Sequence, residues 1–225
     1  AAEIGKRCHD KNVFFFTDAT QAAGKLHIDV QDLKADLLCI SSHKIYGPKG
    51  SGALYIRRKN PAVKLSPYIT GSGHEKGLRS GTLNVPAIVG IGMACELSTS
   101  LFWEETARIS KYRTTLEQLI EREVSISING NMRSRLCNTS NLCFNGIEAA
   151  RLIKVLPELA FSTGSACSSA LPEPSHVLKS MGLTDNEVYS SVRFSIGRFT
   201  TENEIATSAE LISNAVKGLM KEADI

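Results

Sequence analysis

Ser41-Ser42-His43-Lys44-Ile45-Tyr46-Gly47-Pro48-Lys49-Gly50-Ser51-Gly52 is the stretch on which the fold turns. The apolar run Leu37-Leu38-Cys39-Ile40 leads into it. A run of that length bounded by turn residues predicts a short buried strand. Lys44 therefore stands just beyond the C-terminal end of a strand, the edge along which open α/β sheets bind ligands. Gly47, Pro48 and the glycines at 50 and 52 permit turns and a close approach of a ligand to the backbone.

A lysine so placed has two readings. It is a surface lysine on a turn, or it is a Schiff-base lysine whose amine condenses with the aldehyde of pyridoxal 5'-phosphate (PLP). The residues on either side bear on that choice.

Upstream, Val13-Phe14-Phe15-Phe16 predicts a second buried strand, and Asp18 follows its C-terminal end in Thr17-Asp18-Ala19-Thr20-Gln21. A PLP ring needs a carboxylate against its pyridinium nitrogen, and an Asp at a strand end suits that. Such an Asp also caps helices and turns. Gln21 is either a donor to the ring's phenolate oxygen or a surface polar residue. The hydroxyl of Ser41, the imidazole of His43 and loop N–H groups make a phosphate cradle. The GPKGSG segment lacks the GK[ST] ending of a nucleotide P-loop.

Residues 30–33 predict a short helix and 53–56 a strand. The basic trio Arg57-Arg58-Lys59 reads as a solvated strand end. Gly71-Ser72-Gly73-His74-Glu75-Lys76-Gly77 reads as a flexible loop, and Thr82, after it, either binds a phosphate or caps the following helix. That helix opens at Pro86 and runs to about Leu97. A further helix over 103–123 places Ile109, Tyr112, Leu116, Leu119 and Ile120 on one face. Together they bridge a sheet domain, residues 1–100, to a second α/β domain, residues 101–225.

In the second domain, strands are expected at 124–128, 142–144, 159–161 and 192–195, and helices at 149–156 and 174–181. Thr201-x-x-Glu204 is a capping box before a last amphipathic helix through Leu219. Cys167 lies in Ser162-Thr163-Gly164-Ser165-Ala166-Cys167-Ser168-Ser169, a small and polar segment. Reactive thiols favour such accessible places, and so do ordinary loop thiols. Arg193, on an apolar strand, wants a carboxylate, either a salt-bridge partner or a substrate held by two parallel bonds. Arg198 reads as structural.

The chain has 225 residues, enough to bury a core in one or two domains. Its 26 basic and 23 acidic side chains are interspersed, net +3, which calls for neither nucleic acid nor a membrane surface. No apolar run is long enough to span a bilayer. The six cysteines show no metal-ligand spacing, so no metal site is expected. Cys39 and Cys95 read as small core residues. The cysteine usage fits a reducing, cytosol-like compartment. Ile4 and Cys8 look like the tail of an amphipathic helix entered midway, so the chain is expected to be a fragment or processed form lacking an N-terminal portion.

The ordered set Asp18-Ala-Thr-Gln21, Ser41-Ser-His-Lys44-Ile-Tyr-Gly-Pro-Lys-Gly50, Arg79-Ser-Gly-Thr82, Ser165-Ala-Cys167 and Arg193-Phe-Ser-Ile-Gly-Arg198 resembles the cysteine desulfurases of the NifS/IscS type, within the class V aminotransferases. The resemblance implies the PLP fold-type I (aspartate aminotransferase-like) α/β fold. Residues 1–100 would then be the C-terminal part of the large mixed-sheet, PLP-binding domain, and residues 101–225 the small domain with the catalytic Cys loop. It implies Lys44 as the Schiff-base lysine and Asp18 and Gln21 as ring partners. Ser41 and His43 become phosphate ligands, with Thr82 one that reaches a neighbouring subunit's site. Cys167 becomes the persulfide-forming nucleophile and Arg193 the clamp on the substrate carboxylate.

The implied reaction converts L-cysteine to L-alanine and passes sulfur to an acceptor protein, such as an iron–sulfur scaffold, from a cytoplasmic homodimer. Selenocysteine lyase or cysteine sulfinate desulfinase on the same fold, or an inactive fragment, are the alternatives. Ser42 stands where many members have Gly. The resemblance implies that a His, an Asn and a Thr of the cofactor site belong to the N-terminal portion expected before residue 1. Members that pair with an iron–sulfur scaffold often carry a longer C-terminal tail after the last helix than this sequence shows.

Overall fold

The computed structural model describes residues 1–163 and 174–223. Two compact units divide the chain, Ala1–Phe102 and Trp103–Ile225.

The first unit opens with helix α1, Ala2–Asp10. Gly5 is its buried residue, because a Cβ there would stand 1.9 Å from the Leu33 carbonyl oxygen. Strands β1 (Phe16–Asp18), β2 (Leu37–Ser41) and β3 (Gly52–Ile56) form a sheet in that order. β1 runs parallel to β2, and β3 antiparallel. The expected buried strand at 13–16 shifts: β1 begins only at Phe16, and Val13, Phe14 and Phe16 are 56%, 60% and 56% exposed. β1 is an edge strand, and among the described residues nothing covers that row.

Residues 30–33 form turns rather than the expected helix. Asp29 Oδ1 accepts from the amides of Gln31 (2.6 Å) and Asp32 (3.4 Å), a local bond that competes with helix formation. The loop 71–77 contains a short 3-10 turn at Glu75–Gly77.

Arg57 departs from its reading as a solvated strand end. Its guanidinium donates to the carbonyls of Val30 and Ala35 and to Gln31, and lies 3.3 Å from Asp36. The Arg57 and Asp36 side chains are only 12% and 9% exposed. Asp36 also accepts from the Phe15 amide at 2.8 Å, so this buried pair ties together the starts of β1 and β2 and the end of β3. Arg58 and Lys59 are solvated as expected.

Helix α2 (Val85–Ser100) has Pro86 in its first turn and Asn84 as its cap, whose side chain accepts from the Ala87 amide. It packs on the lysine turn through Ala94, in a small cluster with Ala23 and Ile45. Two glycines allow this approach. A Cβ at Gly90 would lie 2.4 Å from Pro48 Cγ, and one at Gly47 would lie 2.2 Å from Ser42 Oγ and 3.0 Å from Ala94 Cβ. Gly90→Ala should therefore push α2 and the Pro48 loop apart. We expect a cost of about 1–3 kcal/mol, read as a lower melting temperature.

The second unit joins α3 (Phe102–Glu123) to the antiparallel sheet β4-β5-β6 (Ser127–Ile128, Thr139–Cys143, Ser191–Ser195). Helices α4 (Ala149–Val155), α5 (His176–Ser180), α6 (Asp185–Tyr189) and α7 (Glu202–Ala223) complete it. The face read from the sequence of α3 is the one that packs: Ile109, Leu116 and Ile120 are buried, with Tyr112 and Leu119 against them. Phe144, Leu142, Leu152, Val192, Ile212 and Val216 share that core.

The box before α7 closes as predicted, with Glu204 accepting from the Thr201 amide at 2.7 Å and the Glu204 amide donating back at 3.3 Å. The expected strand at 159–161 is absent, and pairing is confined to one bridge, Ser162 with Arg193. α6 was not anticipated, although Thr184 and Glu187 form a capping box there. Among the described residues no single helix is long and apolar enough to cross a membrane.

Candidate functional site

Because β1 and β2 are parallel, their C-terminal ends share one edge of the sheet. Asp18, the last residue of β1, is in register with Cys39 of β2. Ser41 ends β2, and a 3-10 turn over Ser42–Ile45 follows at once. In such a turn residues three apart eclipse each other. Ser42 and Ile45 point inward and are buried, which leaves His43 and Lys44 exposed between them. Tyr46, at φ 66°, turns the chain out of this element. From below, the Lys25 ammonium donates to the Lys44 carbonyl at 3.1 Å.

The chemistry at this edge is mixed in a useful way. Ser41 Oγ and His43 Nδ1 are 2.9 Å apart, a hydroxyl–imidazole pair open to solvent. The Asp18 carboxyl is held below its usual range, first by the Thr20 hydroxyl and then by the Thr20 amide, whose nitrogen lies 2.8 Å from Oδ1. A carboxylate, a primary amine and a hydroxyl–imidazole pair thus all belong to the segments in which two parallel strands end. That donor set fits PLP.

Gln21 lies exposed in the turn after Asp18. Thr82 is exposed between Gly81 and the helix cap, and the capping role left open for it belongs to Asn84. Arg193 is a half-buried residue of β6 in the second unit. Its amide donates to the Ser162 carbonyl at 2.7 Å and its carbonyl accepts from the Ser162 amide at 3.2 Å. Cys167 lies outside the described residues. Arg198 is structural, as read: its guanidinium makes a two-bonded pair with Glu105.

Two residues of this edge escaped the sequence reading. Thr20 is the group that grips Asp18. Cys39, read as a core residue, is half-buried and stands opposite Asp18. Cys95 is also half-buried, packed against the small cluster under the lysine turn. Among the described residues no group of His, Cys, Asp or Glu could hold a metal ion.

The profile of the family described as aminotransferase class-V matches residues 1–207, and the chain belongs to that family. Similar curated relatives include "Cysteine desulfurase IscS" of Histophilus somni (strain 2336), 48% identical over 97% of this chain and 54% of the relative. The protein of that name from Shewanella woodyi is 47% identical over 96% of this chain and 53% of the relative. Among solved structures, a NifS-like protein from Rickettsia africae matches with a TM-score of 0.85 at 33% identity, covering 96% of this chain and 57% of that one. The chain spans about half the length of the curated relatives it matches. The fold is PLP fold-type I, as expected from the sequence.

Proposed function

We propose that this chain is the cofactor-lysine and cysteine-loop portion of a PLP-dependent cysteine desulfurase. One observation carries the reading: Asp18 and Lys44 emerge at the same edge of a parallel strand pair, in a chain 48% identical to proteins named cysteine desulfurase. When bound, PLP supplies an electron sink for charge developing at the substrate Cα. Lys44 holds the cofactor through its amine and moves the Cα proton. Asp18, kept ionised by Thr20, is the partner of the ring nitrogen, and Gln21 donates to the ring oxygen. Ser41, His43 and Thr82 hold the phosphate.

Arg193 takes the substrate carboxylate through two parallel bonds. The Cys167 thiolate attacks the substrate sulfur, so that the persulfide S–S bond forms as the substrate Cβ–S bond breaks, and the electron pair left on Cβ takes up a proton to give L-alanine. Residues 1–100 supply part of the PLP-binding domain, and residues 101–225 the smaller domain with the cysteine loop. The partners are L-cysteine, a second copy in a homodimer, and a sulfur-accepting protein such as an iron–sulfur scaffold, in the cytoplasm.

The test is borohydride reduction of the native protein incubated with PLP, followed by peptide mass analysis and an assay of alanine release from L-cysteine. A reduced cofactor on Lys44 and alanine release support the reading; a cofactor fixed elsewhere, or none, overturns it. Arg193→Lys replaces a planar fork by a point charge. We expect KM for L-cysteine to rise about tenfold, with kcat changed far less.

A further inference from the structure

We propose that Cys39 is a positioning residue for Asp18: its thiol donates a hydrogen bond to the Asp18 carboxylate and fixes the orientation in which that carboxylate meets a bound cofactor. The inference rests on the place given to Asp18 in the proposed function.

Register supplies the geometry. Asp18 and Cys39 are Cα partners across the parallel β1–β2 pair, so their side chains leave the same face. The strands are locked together immediately beyond them, where the Ala19 amide donates to the Cys39 carbonyl at 2.9 Å. Thr20 holds Asp18 from its own turn, with the amide on Oδ1, and the register brings the Cys39 thiol to the same face from the neighbouring strand. A carboxylate restrained on one side alone can swing about χ1; a second donor from a different strand removes that freedom.

The polarity of the bond follows from the two environments. Burial first, and then the charge of Asp18, push the Cys39 thiol above its ordinary range. The Asp18 carboxyl is displaced downward by Thr20 and, to a smaller extent, by Cys39 itself. At neutral pH the proton therefore stays on sulfur and the carboxylate only accepts. A thiol is a weak donor to neutral groups, but an anionic acceptor strengthens the bond. Cys39 is also half-buried while Asp18 is exposed, so the donor is the better anchored of the two.

The test uses Cys39→Ala and Cys39→Ser in the native protein. In the cofactor-free state, carboxyl-carbon NMR reads the titration of Asp18; PLP titration reads cofactor affinity. Cys39→Ala should raise the Asp18 pKa and weaken PLP binding about two- to tenfold, the range of one hydrogen bond. Cys39→Ser, which keeps a donor, should return both toward native values. An Asp18 titration unmoved in Cys39→Ala overturns the inference. So does a shift that Cys39→Ser fails to recover, because packing would then be the cause. Asp18→Asn separates the two readings: PLP affinity indifferent to that change removes Asp18 from the cofactor site, whereas the effect of Cys39 on Asp18 is read without cofactor.

Discussion

Lys44→Ala should leave a folded protein in which borohydride no longer fixes PLP and alanine release from L-cysteine is lost. Two effects combine. In the proposed reaction the covalent attachment point disappears, and so does the group assigned to move the Cα proton, a role worth about 10²–10⁴ in rate by itself. Stability should hardly change, because Lys44 is exposed and the inward residues of its turn, Ser42 and Ile45, remain. Changes at such exposed positions stay within about 0.5 kcal/mol. The Lys25 bond is made to the Lys44 main-chain carbonyl and survives the substitution. Lys49→Ala is the control: this amine lies on the same glycine-rich loop, is exposed, and has no place in the site. Undiminished turnover in Lys44→Ala, measured beside that control, would remove Lys44 from the reaction.

How far such a site could be read from sequence depended on whether the deciding interaction was local. The strand before Lys44 and the turn after it are written in adjacent residues, an apolar run and then glycines, and both stand where they were expected. Arg57 was misread because its partner, Asp36, belongs to a different strand connection, and nothing near Arg57 in the chain announces a buried acid. Phe14 and Phe16 were expected inside because a continuous apolar run looks the same whether or not a second layer covers it. Cys39 needed the parallel register of β1 on β2 before it could be placed beside Asp18. α6 was different: its Thr184-x-x-Glu187 signal was present, but the helix that follows is too short to show an apolar period.

The largest stability effect should come from Glu117, on α3. Its carboxylate receives both terminal nitrogens of Arg135, at 2.7 and 2.9 Å, and lies 3.7 Å from Arg113 Nε. All three side chains are largely out of water, Glu117 at 4% exposed and the two arginines at 10% and 15%. Burial, and then the charge of Arg135, lower the affinity of the Arg113 guanidinium for its proton, and Glu117 opposes both. The acid is therefore the countercharge for two buried cations, unlike exposed pairs such as Glu3–Arg7, which contribute at most about 1 kcal/mol.

Glu117→Ala would strand both guanidinium groups, at a cost of about 3–5 kcal/mol. For a chain of this size that lowers the melting temperature by about 10 °C or more. Arg135→Met added to Glu117→Ala should recover part of the loss, since it removes one of the stranded charges. The consequence should extend to β6, because Arg113 also donates to the Leu136 carbonyl at 2.7 Å, just before β5. β5 pairs with β6 residue by residue, Asn141 opposite Arg193, so loosening that end of β5 slackens the strand that carries the proposed carboxylate clamp. KM for L-cysteine should then rise in Glu117→Ala below its melting temperature and fall back in the double variant. A KM unmoved by a variant that melts early would separate the stability of this sheet from the placement of Arg193.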